Sequence, residues 1–127
     1  MEAGSADAER DRRTRICRRF LRDGVPIRLG GIASNLARIA SFARGAVGRE
    51  AVLSVLVETG LFIEWASPEA SAEARALLAE VEAGLAGWQS GWERLWSDPA
   101  SVEALAAQAR SWSDRVLETS GLLEDST

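Results

Sequence analysis

The sequence predicts an all-α protein, an antiparallel helical bundle of four main helices with a short N-terminal basic helix. Three observations carry this. Apolar residues recur at spacings of three and four along most of the 127-residue chain, the period of one helix face. The three prolines, Pro26, Pro68 and Pro99, each follow a break in that pattern. There the fixed φ and missing N–H suit the first turn of a helix. Alanine, the residue most favourable in a helix interior, appears throughout. The length fits one domain. We expect a flexible N-terminus over 1–8, a single helical domain over 9–121 and a flexible acidic tail over 122–127.

The first helix is expected over residues 9–23. Ile16, Cys17, Phe20 and Leu21 form a narrow apolar stripe on an otherwise basic surface. Asp23-Gly24 ends it. A second helix over 26–44 places Leu29, Ile32, Leu36, Ile39 and Ala43 on one face, with Ser34, Arg38 and Ser41 elsewhere. Gly45-Ala46-Val47-Gly48 breaks the chain, with Gly45 expected in a left-handed C-cap.

The third segment, 50–66, is the most apolar. Val52, Leu56, Thr59 and Ile63 share a face, but Val55, Leu61, Phe62 and Trp65 point in other directions. A helix apolar on several sides is central or covered by a partner. Adjacent apolar pairs such as Val52-Leu53 argue against a strand, which would alternate.

Ser67 as cap, Pro68 at the first position and Glu69 in the first turn predict a helix start. That helix is expected over 69–96, with Ala74, Leu77, Leu78, Val81, Leu85, Trp88, Trp92, Leu95 and Trp96 on one side. Gly84, Gly87 and Gly91 form a second stripe, to be explained by close packing or by a kink near Gly87. Asp98 and Pro99 open the last helix, 99–119, with Val102, Leu105, Ala109, Trp112 and Val116 inward and Gly121 as its stop.

Composition excludes several chemistries. The chain has no histidine, and all fifteen basic residues are arginine. Histidine-based triads, histidine metal ligands and the phosphate-loop lysine are therefore absent. The single cysteine, Cys17, forms no internal disulfide and reads as a half-buried packing residue. Glu58 and Glu64 interrupt the most apolar segment and read as its solvent face or as partners of arginine, not as a catalytic or metal pair. No catalytic residue, cofactor site or metal site is expected, and the chain is read as not an enzyme. The absence of an apolar signal core and of an apolar run near 18 residues points to a cytoplasmic protein without a transmembrane segment.

Two features stand out. Residues 1–24 hold seven arginines against five acids, a net +2, while the remainder is net −6. Arg12, Arg13, Arg15, Arg18, Arg19 and Arg22 form a candidate basic surface, expected to dock largely on the acidic body. Its contact with polyanions should then be weak and salt-sensitive, with no specific nucleic-acid recognition; peripheral membrane contact stays open. The second feature is tryptophan, five residues without a single tyrosine. Trp88, Trp92 and Trp96 fall at i, i+4 and i+8 and are expected to stack near Trp112. Leu61, Phe62, Trp65, Trp92 and Trp96 are the candidate interface. The expected role is a non-catalytic protein–protein interaction or assembly module that pairs with itself or another protein. The alternative is a helical protein that binds a planar or hydrophobic small ligand in a tryptophan-lined cleft.

Overall fold

The computed structural model describes residues 2–45 and 48–122, with side chains from Ala6 onward. The described residues form six α-helices and one 3-10 turn, without a strand. The helices are α1 (Glu2–Leu21), α2 (Val25–Arg44), α3 (Arg49–Ala66), α4 (Ala72–Ser90), α5 (Trp92–Trp96) and α6 (Pro99–Ser120). The all-α expectation holds. The division into four main helices and one short one does not, because the 69–96 segment is split and α1 is as long as α2. The acidic tail beyond Leu122 and the Ala46-Val47 centre of the second breaker lie outside the described residues.

α2 is the central element, packed chiefly against α6 and α3. Its stripe is buried from Leu29 through Ile39, joined by Ala33 and Ala40. Across from it, α6 buries Leu105, Ala106, Ala109, Trp112, Ser113 and Val116. The small residues let the two backbones approach closely enough for the Ser113 hydroxyl to donate to the Ala33 carbonyl oxygen at 2.7 Å. Buried Asn35 ties α2 to α3 by donating from Nδ2 to Glu58 Oε1 at 3.2 Å. The hydroxyl of buried Thr59 donates to the Val55 carbonyl oxygen one turn earlier, at 2.6 Å. Among the described residues, every buried side-chain nitrogen and oxygen has a hydrogen-bond partner.

Local expectations fail at three places. Gly45 does cap α2, but with extended backbone (φ −97°, ψ −171°) rather than left-handed. Ser67-Pro68-Glu69 forms the 3-10 turn, and the cap of α4 is Ser71, whose Oγ accepts from the Ala74 N–H at 3.1 Å. The long helix expected over 69–96 is interrupted at Gly91, and the short α5 beyond it packs against α6. Asp98 and the left-handed Gly121 (φ +83°) act as expected, capping the start of α6 and ending it.

Gly84 and Gly87, from one stripe, have different reasons to be glycine. A Cβ on Gly84 would collide with the Trp112 ring, whereas one on Gly87 would meet nothing within 4 Å. Close packing therefore accounts for the first alone.

Nothing in the sequence pattern marks Arg28 for burial. Arg28 is 8% exposed. Its Nε donates to the Asp23 carbonyl oxygen at 2.8 Å and its Nη2 to the Leu21 carbonyl oxygen at 3.0 Å. Its Nη1 binds the Glu69 carboxylate. One guanidinium thus satisfies carbonyls at the end of α1 and joins that corner to the turn between α3 and α4.

Two tests follow from this packing. Arg28→Ala leaves two carbonyls without their charged donor and should cost about 2–3 kcal/mol in thermal or urea unfolding. Glu69→Gln, at an exposed carboxylate, should cost under about 1 kcal/mol. Equal losses would contradict the role given to the carbonyl contacts. Separately, Gly87→Ala should stabilise by up to about 1 kcal/mol. Gly84→Ala should destabilise by about 1–2 kcal/mol, since crowding against Trp112 outweighs the propensity gain. A rise in melting temperature for both variants would refute the contact.

Candidate interaction surface

α3 meets its surroundings on three sides. At 100° per residue, Val52, Leu56, Thr59 and Ile63 share one side, and all four are fully buried in the core. A second side is covered by the end of α1. The Phe20 ring stacks on Phe62 with centroids 4.4 Å apart and lies 6.0 Å from Trp65, which is itself 6.0 Å from Phe62. The third side, turned away from the core, carries Leu53, Val57 and Leu61 at i, i+4 and i+8, of which Leu53 still packs partly against the core. Leu53 and Leu61 are half-buried and Val57 is 46% exposed.

Along this third side α1 and α3 enclose a groove of about 530 Å³. Its apolar lining includes Ile16, Leu53, Val57, Leu61 and Trp65. The α1 wall adds Arg12 and Arg13, and the α3 wall adds Glu50 and Glu58. Glu9, paired with Arg12, also lines the α1 wall, so the groove has an apolar floor between a mixed wall of net +1 on α1 and an acidic wall on α3. Glu58 accepts a hydrogen bond from Asn35, and Glu64 is exposed.

The composition of α3 qualifies one expectation from sequence. Arg49–Glu69 has the length and mean hydropathy (1.3) of a membrane-crossing segment, with 28% of it buried inside the protein. A search for an uninterrupted apolar run misses it, because Glu58 and Glu64 intervene. A core helix that also carries an outer apolar side produces the same pattern.

The candidate interface residues fall into two places. Leu61 and Trp65 line the groove, and Phe62 packs under Phe20. Trp92 and Trp96 lie on α5, paired with each other at 5.4 Å and packed on the core rather than beside the groove. The expected stack on Trp112 is made by Trp88 alone, at 5.3 Å. Gly87, Trp88, Gly91, Leu95 and Leu105 line a separate shallow groove between α4–α5 and α6.

Arg12, Arg13, Arg15, Arg18, Arg19 and Arg22 are all exposed. The expected docking onto the acidic body is absent among the described residues. The ion pairs of α1 stay within the helix, Arg10 with Asp7 and Arg12 with Glu9, both at 3.7 Å. Cys17 is half-buried and free. No group of three or more potential metal ligands occurs among the described residues.

Ion pairs between helices lie elsewhere. Arg44 on α2 reaches Glu103 on α6 at 2.7 Å, and Arg49 on α3 reaches Glu93 on α5 at 2.8 Å. Glu80 on α4 accepts from Arg115 at 2.6 Å and from the Trp112 indole N–H at 2.9 Å. The Arg115 and Trp112 hydrogen bonds hold the Glu80 carboxyl below its ordinary value of 4.5, and Arg44 does the same to Glu103.

The chain matches no protein-family model, no curated protein and no solved structure.

A depressed folded pKa means that the unfolded chain binds more protons in the acid range. The stabilisation from Glu80 and Glu103 is complete above 4.5 and is lost as pH falls through the lower folded values. Melting temperature followed from neutral pH into this range should fall more steeply for the wild type than for a Glu80→Gln/Glu103→Gln variant. Parallel profiles would show that neither contact contributes.

Proposed function

We propose that this chain is a non-catalytic assembly module that pairs with a second copy of itself through the outer side of α3. The supporting observation is the groove, which joins an open apolar row to an acidic α3 wall and a mixed, net-positive α1 wall. An isologous two-fold interface needs a patch that complements itself. A two-fold axis at Val57, with two α3 helices crossing antiparallel, brings Leu53 of each copy against Leu61 of the other. Ser54 then faces Gly60, whose added Cβ would meet nothing within 4 Å, so the two backbones have room to approach. Glu50 of one copy nears Glu64 of the other. Arg13 on the α1 wall supplies an opposing charge, while Arg12 is already paired with Glu9 within its own helix.

Burying Val57, Leu53 and Leu61 gives each copy an apolar gain of about 25 cal/mol per Å² removed from water. Tryptophan on α5 takes no part, since Trp92 and Trp96 are already packed inside one chain.

Sedimentation equilibrium across the micromolar range provides the test. The wild type should show twice the chain mass. Val57→Glu should raise the dissociation constant by at least about tenfold, because it desolvates a carboxylate in the contact. Its circular dichroism and melting as a monomer should match the wild type, since Val57 makes no core contact. Trp96→Glu should lower stability instead. A wild type that is monomeric throughout, or a dimer indifferent to Val57→Glu, would overturn the reading.

A further inference from the structure

The charge of α1 is unevenly distributed along its length. The acids Asp7 and Glu9 are engaged upstream by Arg10 and Arg12. Residues 13–22 then contain five arginines and no acid. Arg13, Arg15, Arg18, Arg19 and Arg22 are exposed and form no ion pair among the described residues. Asp11, one turn before Arg15, and Asp23, just after Arg22, also stand outside ion-pair distance of them. Arg15, Arg18, Arg19 and Arg22 recur at i, i+3, i+4 and i+7, so they share one side of the helix. That side points away from α3, because Phe20, on the opposite side, is buried against Phe62 and Trp65.

A second observation sits at the same end of the molecule. Three large apolar side chains are exposed among the described residues, and two of them flank the α1–α2 turn: Leu21 at 41% and Ile27 at 53%. Neither lines the α3 groove; Ile27 lines a separate one with Phe20 and Leu117. The turn between them is held by Arg28, whose contacts to the Leu21 and Asp23 carbonyls fix the corner. The corner therefore carries four guanidinium groups on the outer side of α1, with Leu21 on the last turn of α1 and Ile27 on the first turn of α2, on a protein whose residues beyond 24 are net −6.

We propose that the α1–α2 corner docks on an anionic lipid bilayer, with Arg15, Arg18, Arg19 and Arg22 on headgroup phosphates and Leu21 and Ile27 entering the acyl boundary. Guanidinium groups bind phosphate oxygens in a bidentate fashion and are drawn to an anionic leaflet. The two apolar side chains favour a bilayer over a nucleic acid. A bilayer has an acyl region to receive them. Single-stranded nucleic acid is bound by aromatic platforms, and the aromatic ring of this segment, Phe20, is turned inward. The acidic body turns the rest of the molecule away from the same surface. The proposal is independent of self-association, since it uses a different part of the chain.

Vesicle co-sedimentation with the full chain provides the test. Vesicles of phosphatidylcholine alone are compared with vesicles containing about a third phosphatidylserine, at about 0.15 M salt. Binding to the anionic vesicles should exceed binding to the neutral ones by at least about tenfold. It should weaken at least about tenfold for Arg15→Gln/Arg18→Gln/Arg19→Gln/Arg22→Gln, and several-fold for Leu21→Ser/Ile27→Ser. Raising the salt to about 0.5 M should release the unaltered wild type, a readout independent of variant folding. Equal binding to both vesicles, or binding indifferent to salt and to the arginines, would overturn the proposal. So would tighter binding to duplex DNA that Leu21→Ser/Ile27→Ser leaves unchanged, which would assign the arginines to nucleic acid.

Discussion

The guanidinium of Arg28 is the constraint on which the two outer surfaces depend. A helix attached to a body only by its last turn can swing about the loop that follows it. Here the loop is short, and Arg28 holds it by hydrogen bonds to the carbonyls of Leu21 and Asp23 and by its pairing with Glu69. Phe20, one residue before this anchor, is stacked on Phe62. Together they fix the direction in which α1 leaves the body. That direction lays Arg12 and Arg13 along α3 and turns Arg15, Arg18, Arg19 and Arg22 outward. The buried charge is itself exposed to few partners, but each is a full hydrogen bond or an ion pair, which is the condition for burying an arginine.

α3 poses a problem of circumference. A helix in a small all-α protein has one stripe covered by the core, and α3 has apolar residues on three sides. Val52, Leu56 and Ile63 go into the core, and Phe62 and Trp65 are covered by Phe20. Leu53, Val57 and Leu61 are left on the side that no helix of the chain fully covers. Leu53 still packs partly against the core, but Val57 and Leu61 add nothing to it, so this side keeps an apolar character that the core does not require.

Elsewhere the helices are held in register by polar contacts across their joints. Arg44–Glu103, Arg49–Glu93 and Arg115–Glu80 each link two different helices. All are exposed, so each contributes little to stability. The Glu80 contact differs, because its carboxylate also accepts from the indole of Trp112. The indole bears on Gly84 below and on Trp88 beside it. Gly84 is therefore the seat of a ring, and its position decides how close α4 and α6 can come.

Much of this protein was determined by the sequence alone. Helical periodicity set the all-α class and most of the inward residues, because a 3.6-residue repeat is a property of neighbours in the chain. Asp98 and Gly121 were legible as cap and stop for the same reason, since their partners lie within a turn. The core side of α3, Val52, Leu56, Thr59 and Ile63, was legible, and so was the excess of apolar residues around it. What tertiary structure alone decided depends on partners remote in sequence. No local pattern marks Arg28 for burial; Glu69 and the Leu21 and Asp23 carbonyls enclose it only in the folded chain. The break falls at Gly91 rather than near Gly87, and the Trp92 and Trp96 side chains beyond it pack on the core. The arginines of α1 were averaged with their neighbouring acids, although Asp7 and Glu9 neutralise only its upstream part. The groove could not be read from either helix separately, because it is made by the angle between them, and that angle is fixed by Phe20 and Arg28 against residues more than forty positions away.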